Sequence, residues 1–488
     1  MYSRLKRYGL GLLLWALPLI GRAAQSAAIV DAIKEAQSKK LFQTASIGCY
    51  AVNLAQNKVI VHINEKQSLI PASSLKLLTT AAAMEMLGKD FQFETTIQCD
   101  GQVDEQGTLH GNIYIRGGGD PALGSQQFRQ HYYQPDFIST WVKAIQAKGI
   151  KKIVGAVVGD ECIYTEEMVP ATWAVGNLAS YYGAGASGLS IFDNLCTVRL
   201  RAGQAQHKAT LLSIVPALPP TVPIINQVQG AAIEHRQIQI KSLLHRPARI
   251  LEGKIPCSQT ISLQVTNPDP AYWAAYSLQQ ALQKQGIEIT KSPSTLQKKQ
   301  RSAKKRQTLF TTLSPPLWQI IKVINHDSLN GYTEHLLKHL SLAIGCPGNT
   351  ARGTKALKQF WKDRGVDVTG MLLHDGSGFS KYNAVTPKQL VEVLRYMKAN
   401  IHSQTFYQSL PIAGKTGTLA GLFQQPPLKG QLRAKSAALS GIRGFAGYYT
   451  NQAGDEVAFV LLVNHYDGSR MTVEKELEKI LKVMVSQK

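Results

Sequence analysis

The chain has 488 residues, of which 44% are hydrophobic, 8% aromatic and 18% charged. That is an ordinary globular composition, and it excludes a mostly disordered chain, a collagen-like fibre and a protein of many membrane spans. Lys and Arg number 54 against 32 Asp and Glu, a formal net charge of +22 that suits polyanionic partners.

The N-terminus narrows the choice of polyanion. Arg4, Lys6 and Arg7 precede the apolar run Leu10–Ile20, and Gly21-Arg22-Ala23 puts small residues before a cleavage point. This is the three-part pattern of a secretory signal peptide spanning residues 1–23. The apolar run is too short to cross a bilayer, which takes about 20 residues. Export to the periplasm makes wall polymers and anionic lipids, not nucleic acid, the available polyanions. Cys49, Cys99, Cys162, Cys196, Cys257 and Cys346 form no C-x-x-C pair, so no zinc or thioredoxin-like site is expected, and no metal or cofactor. Some of them can pair in an oxidising compartment, and their spacing does not choose the pairs.

Along the chain, Ala27–Phe42 reads as an amphipathic helix, and Ala45–Leu54 with Lys58–Ile63 as a strand hairpin. Ser73–Leu87 is a strong helix with Leu and Ala inside. From Phe91 to about Thr266 the chain changes to short strands (Asn112–Arg116, Ile153–Gly159, Cys196–Arg201, Ala209–Val215) with many glycines and prolines and one helix near Ile138–Ala147. Helices return over Tyr272–Gln285, Leu317–Val323, Tyr332–Ala343, Thr354–Asp363 and Pro387–Ala399, followed by strands Gly441–Tyr449 and Glu456–Asn464. In the last helix, about Thr472–Val485, Val473, Leu477, Ile480, Leu481 and Met484 share one face, a core stripe. The order points to an α/β (α+β) domain split in sequence, residues 24–90 and 267–488, around an inserted β-rich part, residues 91–266. Lys291–Gln307 carries seven cations and no acid. It is either a solvated loop or a docking patch for anionic wall polymer or a membrane surface.

Three strings carry chemistry. Ser73-Ser74-Leu75-Lys76 opens the apolar helix, so Lys76 lies one turn from Ser73 on the same face. Desolvation there favours the neutral amine, which can take a proton from a serine hydroxyl. Ser328-Leu329-Asn330, alone an N-cap cluster, precedes the helix at Tyr332. Lys415-Thr416-Gly417-Thr418, alone a turn, lies among small residues that suit a substrate lying against a strand. In this order the three form the S-x-x-K, S-x-N, K-T-G set of class A β-lactamases and penicillin-binding proteins.

The chain thereby resembles the class C low-molecular-mass penicillin-binding proteins, the D-alanyl-D-alanine carboxypeptidase/endopeptidase family of the penicillin-binding protein four type. The long interval between Ser73 and Ser328 matches that family's large insertion after the nucleophile helix. Gly119-Asp120-Pro121, Trp173 with Tyr181-Tyr182-Gly183-Ala184, Leu189 with Asn194, His374–Ser380 (HDGSGFS) and Val463-Asn464-His465 resemble its further strings. The resemblance implies a β-lactamase/transpeptidase-like domain, an antiparallel sheet flanked by helices, acting on peptidoglycan stem peptides and acylated by β-lactams. It implies Ser73 as nucleophile, Lys76 as base, Ser328 as proton relay, Asn330 as a substrate and Lys76 ligand, and Lys415, Thr416, Gly417 and Thr418 around the substrate carboxylate. The oxyanion would lie between the N–H groups of Ser73 and Thr418, and Lys415 would help hold Lys76 neutral. Asn177 stands where the family commonly has an acid that holds the amino end of the peptide, so the hydrogen bonding is kept and the charge pair lost.

Other readings compete. His335 and His339, one helical turn apart, lack the H-E-x-x-H order and read as surface or core histidines. Gly117–Gly119 lacks a phosphate-loop frame, and His374-Asp375 with Ser377 lacks a nucleophile elbow. A non-catalytic wall-binding protein would not need a two-lysine serine site. A β-lactamase or esterase on the same fold would need a water-activating base that no motif supplies.

Overall fold

The computed structural model describes residues 26–165, 168–243, 246–296 and 305–487. The expected signal peptide and residues 297–304 of the cationic stretch lie outside the described residues. Of that stretch, Arg306 is already committed, with Nη1 2.7 Å from Asp160 and the guanidinium 3.8 Å over the Tyr114 ring.

The split domain is built on one antiparallel sheet. Its strands are β1 (Ser46–Asn53), β2 (Lys58–Ile63), β3 (Leu432–Leu439), β4 (Ile442–Thr450) and β5 (Glu456–Asn464), in the spatial order β3-β4-β5-β1-β2. Chain-distant β1 and β5 pair at the centre, Ser46 opposite Asn464 and Asn53 opposite Val457. That pairing joins the two halves of the domain across the insertion. Both faces are buried, which explains why β5 reads as a continuous apolar run. Val457, Phe459, Leu461 and Val463 enter one core, whereas Ala458, Val460 and Leu462 enter the other.

Helices α1 (Ala27–Ser38) and α7 (Arg470–Val485) cover the first face. The stripe expected on the last helix is fully inside, and Val485 joins it. Six side chains at roughly 1.5–3 kcal/mol each make this a strong gross contribution. The second face holds α2 (Lys76–Leu87), α3 (Leu317–Asp327), α4 (Asn330–Ala343), α5 (Thr350–Asp363) and α6 (Pro387–Lys398). A capping box between Thr386 and Gln389, with Pro387 at the first turn, fixes where α6 begins. Gly48 of β1 lets α6 come close, because a Cβ there would lie 2.7 Å from the Pro387 ring.

The inserted part ends later than the sequence suggests. Strand Gln307–Leu313 pairs antiparallel with Glu94–Cys99, and Ser294–Leu296 runs parallel to Val157–Asp160, on which helix Pro270–Lys284 packs. The inserted body therefore runs from Glu94 to Leu313, not to residue 266. Among the described residues it holds a five-stranded mixed sheet and three three-stranded sheets, two of which include Ile224–Ala231, Gln237–Leu243, Arg246–Pro256 and Thr260–Thr266.

Candidate active site

Helix α2 is preceded by a tight 3-10 turn, Ala72–Leu75, on which Ser73 is half-buried. Lys76 follows, fully buried. Its Nζ lies 3.2 Å from Ser73 Oγ, 2.7 Å from Asn330 Oδ1 and 2.8 Å from the Ser377 carbonyl oxygen. Asn330 is oriented by its own Nδ2, which donates to the Tyr182 carbonyl at 2.8 Å. Two of the three Lys76 partners are pure acceptors and take two hydrogens. A neutral amine then has one lone pair left, and it faces the Ser73 hydroxyl. Burial lowers the Lys76 pKa to about 7, while Asp375 and Glu334 pull it up. At neutral pH a large share of the amine can therefore accept a proton.

Ser328 ends α3 in the left-handed region, φ 62° and ψ 38°. A non-glycine residue there is strained, and such strain collects at functional sites. Its hydroxyl accepts from Lys435 Nζ at 2.9 Å.

Here the structure corrects the third motif. Lys415 is exposed, in the loop before β3, with its ammonium against Gly430. Lys415-Thr416-Gly417 does not form a strand, and Gly417–Leu419 is a 3-10 turn. Thr416 Oγ1 is occupied within the loop, accepting from the Ile412 N–H at 2.9 Å, and Gly417 packs on the His326 backbone. The lysine that reaches Ser328 is Lys435, fully buried in β3 within Lys435-Ser436-Ala437. Burial and the neighbouring Lys76 and Arg443 hold its pKa well below the lysine norm. Of the expected string, Thr418 hydrogen-bonds to this strand, its hydroxyl oxygen accepting from Ser436 Oγ at 2.9 Å. The letters K-T-G at 415 concealed Lys435, where the string reads K-S-A. A lysine set among small and apolar residues (Ala434 before it, Ser436, Ala437 and Ala438 after it), just before the hairpin at Gly441, was the available signal.

Two buried carboxylates beneath the nucleophile were also missed. Asp375 accepts from Trp173 Nε1 (2.9 Å), Gly378 N (2.8 Å), Ser380 N (2.6 Å) and Asn383 Nδ2 (2.8 Å). Glu334 on α4 accepts from Gly376 N and Ser377 N. Burial and Asp375 push its pKa up to about 7. Gly378, φ +79°, is required, since a Cβ would fall 1.8 Å from the Ala72 carbonyl oxygen. His335 and His339 are core residues, with His335 Nδ1 2.9 Å from the Gly119 carbonyl oxygen and His339 Nδ1 2.8 Å from Tyr164 Oη. Asn177 sits on a short turn and lines a cleft of about 920 Å³ with Tyr181, Tyr182, Arg236 and Ile240. It borders the site through Tyr182 and does not touch the serines.

A hydroxyl beside a dry amine, with a second serine–lysine pair and an open strand edge, is equipped for acyl transfer. The comparisons agree. A profile of the D-Ala-D-Ala carboxypeptidase 3 (S13) family matches residues 29–485. D-alanyl-D-alanine carboxypeptidase DacB of Haemophilus influenzae is 28% identical over 437 residues, 88% of this chain and 87% of that protein. The D-alanyl-D-alanine carboxypeptidase of Actinomadura sp. (strain R39) is 25% identical over 450 residues, 90% and 81% of the two chains. The crystal structure of penicillin binding protein 4 from H. influenzae superposes with a TM-score of 0.79 at 26% identity, covering 93% of this chain and 98% of that one. Among the described residues, no helix is long and apolar enough to cross a membrane. The profile match spans both halves of the split domain and the insertion between them, so the chain belongs to the D-Ala-D-Ala carboxypeptidase 3 (S13) family and is a serine-type peptidase of that class.

Proposed function

We propose that the chain cleaves the terminal D-Ala-D-Ala bond of peptidoglycan stem peptides through an acyl-enzyme on Ser73, outside the cytoplasmic membrane in the periplasm. The observation that carries this is the Lys76 amine, dry, with both hydrogens taken and its lone pair toward Ser73. Ser73 Oγ attacks the carbonyl of the penultimate D-Ala as Lys76 takes its proton. The proton passes by way of Ser328, held by Lys435, to the leaving D-Ala amine. Water then releases the acyl group, which is carboxypeptidase action. The same chemistry on a cross-link between D-Ala and a diamino acid is endopeptidase action.

Strand parity supports an oxyanion site. The Ala434 N–H points out of the sheet edge, donating to the Pro411 carbonyl. Ser436 and Ala438, two and four residues on, point the same way. The Ser73 and Ala438 N–H groups are therefore the proposed oxyanion donors, with Ala438 in the place expected of Thr418. Each such donor typically contributes about 10²–10³ in rate. Lys435, Ser436 and Thr418 receive the terminal carboxylate. Asn177 contributes hydrogen bonds, without charge, to the peptide end away from the scissile bond. The relative from H. influenzae is known in complex with a β-lactam, and a penicillin is the probe for the same acylation here. Contact of residues 291–307 with anionic wall polymer or a membrane surface belongs to the same proposal, carried by its cations other than Arg306.

The test is incubation of the purified protein with a labelled penicillin, beside Ser73→Ala, followed by mass spectrometry of the modified peptide. A slowly decaying adduct on Ser73, absent from the variant, is the expected result. An adduct elsewhere, or none, would overturn the assignment, and rapid turnover of the drug would make the chain a β-lactamase.

A further inference from the structure

The loop His374–Ser380 does more than turn the chain. Its Ser377 carbonyl is one of the two acceptors that fix the Lys76 hydrogens, at 2.8 Å. A carbonyl on a loop is only as well aimed as the backbone on either side of it. Both peptide N–H groups just before it are held by one side chain. Glu334 Oε1 accepts from Ser377 N at 2.8 Å and from Gly376 N at 3.1 Å, and Oε2 is also 3.1 Å from Gly376 N. Glu334 is fully buried and comes from α4, one turn beyond Asn330, which supplies the other Lys76 acceptor. One helix therefore sets both acceptors, Asn330 directly and Ser377 through Glu334.

We propose that Glu334 is a positioning residue for acylation: its carboxylate pins the Gly376–Ser377 backbone so that the Lys76 lone pair is left facing Ser73, and its charge sets how readily that amine releases its proton. The inference deepens the acyl-serine reading and rests on it. The charged groups that face Lys76 are Glu334 from α4, Asp375 from the loop and Lys435 from β3. The two carboxylates favour the ammonium and Lys435 opposes it. The sign follows. The neutral amine is the base, so acylation falls about tenfold per pH unit below the Lys76 pKa, which lies at about 7. Glu334 titrates over the same range, its pKa raised to about 7 by burial and Asp375. It therefore stabilises the cation only where it is ionised, and removing its charge moves the midpoint of that limb to lower pH while the acid ends of the two profiles converge.

The test is the rate of Ser73 acylation by a labelled penicillin between about pH 5 and pH 9. Glu334→Gln keeps an oxygen for the two N–H groups and loses the charge. Its midpoint is expected lower than in the unaltered protein by up to about one pH unit, the two profiles converging at the acid end where Glu334 is itself protonated, with the plateau changed by less than about tenfold. Glu334→Asp keeps the charge and shortens the reach. Its limb is expected to stay in place while the plateau falls about tenfold or more. A midpoint in Glu334→Gln that coincides with the unaltered protein's overturns the inference. Should Glu334→Gln fail to fold, a Glu334→Asp plateau equal to the unaltered protein's overturns it as well. Absence of any Ser73 adduct in the unaltered protein would instead remove the parent reading, so the two failures are distinct.

Discussion

Two lysine strings lie twenty residues apart in this chain and fare differently. Lys415-Thr416-Gly417 matches the expected letters and sits in an exposed loop. Lys435-Ser436-Ala437 departs from them at two positions and lies in strand β3, its lysine dry and bonded to Ser328. The difference teaches that a motif is a place in a fold before it is a string. What the chemistry asks of this lysine is burial beside a second amine and a rigid strand under it, and β3 supplies both. A loop lysine in water keeps a screened charge and a free choice of rotamers.

The most direct way to break that contrast is to remove each lysine in turn. Lys435→Ala is expected to slow acylation of Ser73 by about 10²–10⁴-fold, the range for a proton-handling group. Lys415→Ala is expected to change it by less than about twofold, as for a surface site away from the chemistry. Stopped-flow acylation by a reporter penicillin measures both, and the reverse ranking would return the site to residue 415.

Glycines sharpen the same contrast at a smaller scale. Gly378 crosses the nucleophile turn with a left-handed φ and no space for a methyl group. Gly421, in the loop that follows Lys415, has nothing within 4 Å of a built Cβ. Gly378→Ala should displace the turn that carries Ser73. The expected results are an acylation rate lower by about 10²-fold and a stability loss of about 1–3 kcal/mol, read by acylation kinetics and thermal melting. Gly421→Ala should leave both measurements within error.

The same contrast explains what could be read from the residues alone. The Ser73–Lys76 turn, the Ser328 and Asn330 pair, the strands β1, β2, β4 and β5 taken singly and the stripe on α7 rest on local spacing, which a sequence displays; strand β3 and the pairing of chain-distant β1 with β5 do not. The strands Ile224–Ala231 and Gln237–Leu243 escaped because their many polar and half-exposed positions weaken the apolar signal. Helix Pro270–Lys284 looked like the return of the split domain, because nothing local tells a helix which sheet it will cover. Glu334 was visible only as the residue before His335. Its partners lie more than forty positions away, on a loop that the fold brings beneath Lys76.

Thr418 is the finest division of the two strings, since it belongs to one and touches the other. Its hydroxyl oxygen accepts from Ser436 Oγ at 2.9 Å, and through it the loop reaches the strand edge where the substrate carboxylate is assigned. A single neutral hydrogen bond of this kind contributes about 0.5–1.5 kcal/mol. Thr418→Ala should therefore raise KM for a D-Ala-D-Ala peptide by roughly 2–10-fold, with kcat little changed. Thr418→Ser keeps the oxygen and should restore the original value. A loss in kcat as deep as that of Lys435→Ala would mean that Thr418 works on the reacting atoms themselves. It would also reopen the choice between Thr418 and Ala438 as the oxyanion donor. A KM effect alone, rescued by serine, would place the loop as a support for Ser436 and leave the chemistry on β3.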